Sequence, residues 1–96
     1  MRTNRENMIA IPADPNDAED RDISVAGQER ARMGRRIRRL RHRLGMTQEQ
    51  FAAAYDIRLH SLRQYEMARY MPPPGVRAYL KVIEAEPEMV RRVMAG

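Results

Sequence analysis

The stretch Thr47–Glu66, TQEQFAAAYDIRLHSLRQYE, holds two helical patterns with almost nothing between them. Thr47 and Gln50 have the spacing of a capping box, in which each side chain accepts from the other residue's backbone N–H. Phe51, Ala52 and Tyr55 then fall on one side of a helix of about two turns. Asp56 marks a turn and Ile57 plugs the gap. Leu62 and Tyr65 face inward on a third helix expected from about Leu59 to Ala68. With 96 residues the chain suffices for one small domain, and a core of that size is marginal, so every element must contribute to it. A bihelical unit this short therefore constrains the fold more than any other feature.

The flanks are helical too. From Gly27 to Leu44, Met33, Ile37, Leu40 and Leu44 form one apolar stripe, and Gly45 ends the helix as a C-cap glycine does. The other faces of this segment carry Arg30, Arg32, Arg35, Arg36, Arg38, Arg39, Arg41 and Arg43 against the single carboxylate Glu29. Such a run reads as a solvated face or as a surface for phosphate. The prolines of MPPP at 71–74 stop the third helix and start a fourth, because proline is tolerated at the first helical position. That helix turns Val76, Tyr79, Leu80 and Ile83 to the core. Pro87 begins a short fifth helix with Val90 and Val93. No strand alternation, internal repeat or zinc-ligand spacing is visible.

Residues 1–26 read as an extended acidic tail, rich in turn and coil chemistry, with one apolar island at Met8–Ile11. They carry three arginines against six carboxylates, net −3. Residues 27–96 carry fifteen Lys/Arg against seven Asp/Glu, net +8. A basic domain favours a polyanionic partner, nucleic acid first and an acidic membrane surface second. The chain has no cysteine, which excludes disulfides, thiolate zinc sites and cysteine nucleophiles. No apolar run approaches the roughly 18–20 residues that span a bilayer, and no signal-peptide core is visible near Met1, so no membrane role and a cytoplasmic location are expected. No nucleophile–base set, phosphate-binding glycine loop or metal-ligand cluster emerges, so neither catalysis nor a metal or other cofactor is expected.

The span 37–83 resembles the lambda-repressor-like (XRE-type) helix-turn-helix domain. The residues that carry the resemblance are Gln48, Ala52, Asp56, Ile57, Ser61–Leu62, Tyr65–Glu66 and Pro72, after an arginine-rich first helix ending in Leu44–Gly45–Met46. Every spacing holds. The closing PPPGVRAYLKVIEAEPEMV further resembles short bacterial regulators of this type, some of them antitoxins of toxin–antitoxin pairs. Three positions depart from the pattern. Asp56 and Ala68 stand where glycine is usual, and Arg58 stands where a Ser/Thr N-cap is common.

The resemblance implies an all-α, five-helix domain over residues 27–96. It implies a structural ion pair between Arg41 and Glu66, with Ala52 kept small where the third helix crosses. It implies that the third helix enters the major groove of double-stranded DNA, with Leu59, His60, Arg63 and Gln64 at base edges. Arg43, Gln48, Arg58, Ser61 and Arg69 would contact phosphates. The function expected is that of a sequence-specific transcriptional regulator, a repressor acting as a homodimer through helix five and exposed residues of helix four. Two alternatives stand beside it: an antitoxin that also represses its own operon while its tail engages a toxin protein, and a helical protein-interaction module that does not bind DNA.

Overall fold

The computed structural model describes residues 24–96. They form five α-helices: α1 (Val25–Arg43), α2 (Gln48–Tyr55), α3 (Leu59–Glu66), α4 (Pro74–Ala85) and α5 (Pro87–Ala95). There is no strand among the described residues. The apolar island at Met8–Ile11 and the acidic run that follows it lie outside them.

α1 begins two residues before the expected Gly27. Ser24 is the reason: its hydroxyl accepts from the Gly27 N–H at 3.0 Å, which satisfies one of the free donors of the first turn. The capping box of α2 is complete, with Thr47 Oγ1 accepting from Gln50 N and Gln50 Oε1 accepting from Thr47 N. Asp56 then adopts the left-handed conformation (φ 55°, ψ 47°) that ends α2. Its short polar side chain makes that conformation tolerable without glycine. α3 has no side-chain cap at Arg58 and stops at Glu66, two residues short of the expected Ala68. The reason for the early stop is Ala68 itself, which has a positive φ of 61°.

The core consists of Ile37 and Leu40 from α1, Phe51, Ala52 and Tyr55 from α2, Leu62 from α3, Leu80 and Ile83 from α4, and Val90 from α5. Met33, Leu44, Ile57, Tyr65, Val76 and Tyr79 pack against it partly buried. The Phe51 and Tyr55 rings sit 4.9 Å apart at a 49° tilt, a geometry worth about 0.5–1.5 kcal/mol beyond area burial. Two tyrosines act as polar tethers between elements. Tyr55 donates to the Pro87 carbonyl at the start of α5, and Tyr79 of α4 donates to the Tyr55 carbonyl at the end of α2. Burial raises the pKa of both phenols above the ordinary tyrosine range. Not every apolar residue is inward: Val93 is 66% exposed, and Met67, Met89 and Met94 are exposed as well.

α1 and α3 meet at backbone distance. A Cβ added at Gly34 would stand 2.9 Å from the carbonyl oxygens of both Tyr65 and Glu66. Gly34 thus occupies mid-helix, where alanine is preferred by about 1 kcal/mol, because only hydrogen fits under the end of α3. Gly27 and Arg41, seven residues away on either side, lie on the same face of α1. We expect Gly34→Ala to lower stability by about 1–3 kcal/mol in urea denaturation, since overpacking against backbone exceeds the gain in helix propensity. A Gly34→Ala chain more stable than its parent would contradict the close crossing.

Candidate nucleic-acid interface

Arg41 and Glu66 face each other where α1 crosses the end of α3. Arg41 donates from Nε to Glu66 Oε2 and from Nη2 to Oε1, each at 2.9 Å, and from Nη1 to the Met46 carbonyl at 3.1 Å. The side chains are 11% and 3% exposed, so the pair lies well out of water. The Glu66 hydrogen bonds raise the pKa of the Arg41 guanidinium above its ordinary value. Two more arginines bind the same end of α3: Arg38 donates to the Glu66 carbonyl and Arg30 to the Ala68 carbonyl. The Glu66 carbonyl belongs to the free, partly negative end of the helix, where cationic donors are favourable, and Ala68 lies in the turn just beyond it.

From Glu66 the polar contacts run across to α2. Gln48 Nε2 donates to Glu66 Oε1 at 3.2 Å, and Gln48 Oε1 accepts from Arg63 Nε at 3.3 Å. Arg63 closes the chain on Glu49 at 2.9 Å. This last pair is open to solvent, with side chains 45% and 64% exposed, and exposed pairs are worth about 0–1 kcal/mol. Arg63 is therefore held loosely against the start of α2 and gives up little by turning to another anion.

The expected contact residues fall into three places. His60, Ser61 and Gln64 come together along a shallow hollow of about 260 Å³, lined also by Tyr65 of α3 and by Tyr70, Met71 and Pro73 of the segment that follows. Gln48 and Arg63 share the network between α2 and α3. Arg58 and Arg69 are exposed at either end of α3. Leu59 is only partly accessible, because it packs on the core. Arg43 stands apart: its Nη2 donates to the Glu84 carbonyl at the end of α4. Beside it Arg36 holds the Glu84 carboxylate from Nε and Nη2, at 3.1 and 2.6 Å, and lowers the carboxyl pKa below the usual range. Tyr70 is 62% exposed and lines the same hollow as His60 and Gln64. The Arg41–Glu66 pair stood among the expectations, whereas the bonds of Arg38 and Arg30 to the Glu66 and Ala68 carbonyls and the lining role of Met71 were missed in the sequence. The seven-residue spacing of Gly27, Gly34 and Arg41 marks the face of α1 that meets α3.

The arrangement is a two-helix unit whose second helix is pinned at its C-terminal end and open along one side. A family model described as a helix-turn-helix domain matches residues 32–93. That span reaches from α1 into α5 and covers more than half of the chain. The chain belongs to the helix-turn-helix domain family. Searches of curated proteins and of solved structures returned no match. In this helix-turn-helix chain, no group of three or more His, Asp or Glu that could hold a metal ion occurs among the described residues. No helix among them is long and apolar enough to cross a membrane.

Removing one partner of a buried, hydrogen-bonded pair leaves an uncompensated charge. We therefore expect Arg41→Met to cost this helix-turn-helix domain about 3–5 kcal/mol in chemical denaturation. The double change Arg41→Met with Glu66→Met is expected to restore most of that loss, because it removes both charges. A loss under ~1 kcal/mol for the single change would show that the pair does not hold α1 to α3.

Proposed function

We propose that the chain is a sequence-specific DNA-binding transcriptional regulator, a repressor that works as a homodimer and reads the major groove with α3. The observation that carries this reading is the open side of α3. His60, Ser61 and Gln64 stand along one accessible hollow, on a helix whose opposite side is fixed by Leu62 and Glu66 in the interior. A rigid helix bearing the amide of Gln64 and the imidazole of His60 is suited to base edges, since glutamine pairs bidentately with adenine. Arg63, once released from Glu49, suits guanine in the same way. Leu59 offers its exposed edge to a thymine methyl. Arg58, Ser61 and Arg69 at the rim, and Gln48 at the start of α2, supply phosphate contacts that set register rather than choice. Arg43 joins them by exchanging the Glu84 carbonyl for a phosphate.

One such unit reads only a few base pairs, and two-fold pairing extends the site. Val82 on α4 and Met89, Val93 and Met94 on α5 are exposed apolar side chains that a second copy would cover. The antitoxin reading draws on the acidic segment 1–26, of which Ser24–Ala26 alone are among the described residues. No feature of α1–α5 favours it over simple repression.

The double change His60→Ala and Gln64→Ala tests the assignment of α3. Competition binding between a preferred duplex and random-sequence duplex should show a loss of about 1–3 kcal/mol of discrimination for each bidentate contact removed. The helical circular dichroism should be unchanged, because His60 is exposed and Gln64 only half-buried. Full retention of preference would sink the assignment.

A further inference from the structure

Among the described residues, five of the eight arginines of α1 are engaged within the molecule. Arg30, Arg38 and Arg41 hold the end of α3, and Arg36 and Arg43 hold the end of α4. Arg32, Arg35 and Arg39 have no hydrogen-bond or ion-pair partner among the described residues, and all three are exposed. Their steps of three and four place them on one face of α1. At a rise of about 1.5 Å per residue, the stripe from Arg32 to Arg39 runs for roughly 10 Å.

The stripe is not isolated from the open side of α3. Arg32, Arg35, Arg36 and Arg39 line a hollow of about 570 Å³ together with Glu29 and Met71. Met71 also lines the hollow that holds His60, Ser61 and Gln64. One loop side chain therefore stands between the arginine stripe and the side of α3 that bears the base-reading candidates. A surface continuous with that side meets the same duplex, beyond the base pairs that α3 covers. Duplex DNA presents one negative charge per about 1.7 Å of axis, so a stripe of this length spans several phosphates. Unpaired guanidinium groups are the side chains best matched to them. The carboxylates that could neutralise the stripe are few: Glu29 shares its hollow, and Glu84 is already held by Arg36.

We propose that Arg32, Arg35 and Arg39 form a second DNA-backbone contact, which grips the duplex flanking the site read by α3 and adds affinity without sequence choice. The proposal rests on the DNA-binding reading above, and its test separates the two. The full chain and the variant Arg32→Gln/Arg35→Gln/Arg39→Gln are titrated over a range of salt concentrations, on a duplex carrying a preferred site and on a random-sequence duplex. The three residues are exposed and outside the core, so the variant is expected to fold, which its circular dichroism checks. The variant should show a slope of log Kobs against log salt shallower by about 2–3 on both duplexes, since each phosphate contact contributes about 0.9. Its preference between the two duplexes should stay that of the parent. An unchanged slope overturns the proposal. So does tighter binding by the variant, which would place an acidic segment such as residues 14–22 of the chain on the stripe instead. If the parent prefers neither duplex but the slope still falls, the reading by α3 fails while the backbone contact stands. If the parent binds neither duplex, both fall.

Discussion

The ion pair between Arg41 and Glu66 is the contact on which the rest of the arrangement depends. It joins the longest helix to the end of one of the two shortest, and it is almost fully removed from water. A helix of eight residues has little stability of its own, since isolated helices below about 12 residues are marginal. α3 persists because its inner side is filled by Leu62 and its end is bound by Arg41, Arg38 and Arg30. Gly34 makes this possible by letting the two backbones approach. The outcome is a short helix fixed from one side only. Its other side is left accessible, and that is the structural condition for reading a groove.

The same economy explains the arginine content. A net charge of +8 on residues 27–96 looks at first like a plain electrostatic footprint. In the folded domain five arginines of α1 also serve structure: Arg41 and Arg36 bind the carboxylates of Glu66 and Glu84, and Arg38, Arg30 and Arg43 donate to the carbonyls of Glu66, Ala68 and Glu84. Guanidinium suits this use, because it is always charged and presents several donors in one plane. Exposed cations outside these ion pairs include Arg32, Arg35 and Arg39 on α1, Arg58 and Arg69 around α3, and Lys81, Arg91 and Arg92 on α4 and α5. Where an arginine lies on its helix decides which role it takes.

Much of the fold was legible in the sequence. The capping box of Thr47 and Gln50, the stripe of Met33, Ile37, Leu40 and Leu44, and the prolines before α4 and α5 each act through local chemistry that a short window contains. The left-handed turn at Asp56 was legible for the same reason. Ser24 as the cap of α1 was hidden by the coil-like composition before it. The end of α3 was misplaced because alanine does not itself favour the left-handed conformation that Ala68 adopts, although the resemblance puts glycine at that position. The role of Gly34 depends on a crossing with residues more than thirty positions away, and no local pattern reveals it. At the candidate interface, the resemblance put Leu59, His60, Arg63 and Gln64 together, whereas the hollow gathers His60 and Gln64 with Ser61. The engagement of Gln48 and Arg63 with each other, and of Arg43 with α4, needed the tertiary structure. So did the exposure of Val93, which a helical pattern alone turns toward Val90.

We propose that α3 of a paired helix-turn-helix chain chooses among DNA sequences. Recovery of genomic DNA fragments by the purified full chain, at about 0.15 M salt and with competitor DNA present, tests it most directly. We expect enrichment of one two-fold symmetric site, with half-sites about one helical turn (~10 base pairs) apart. Weak and equal recovery of all fragments would contradict it.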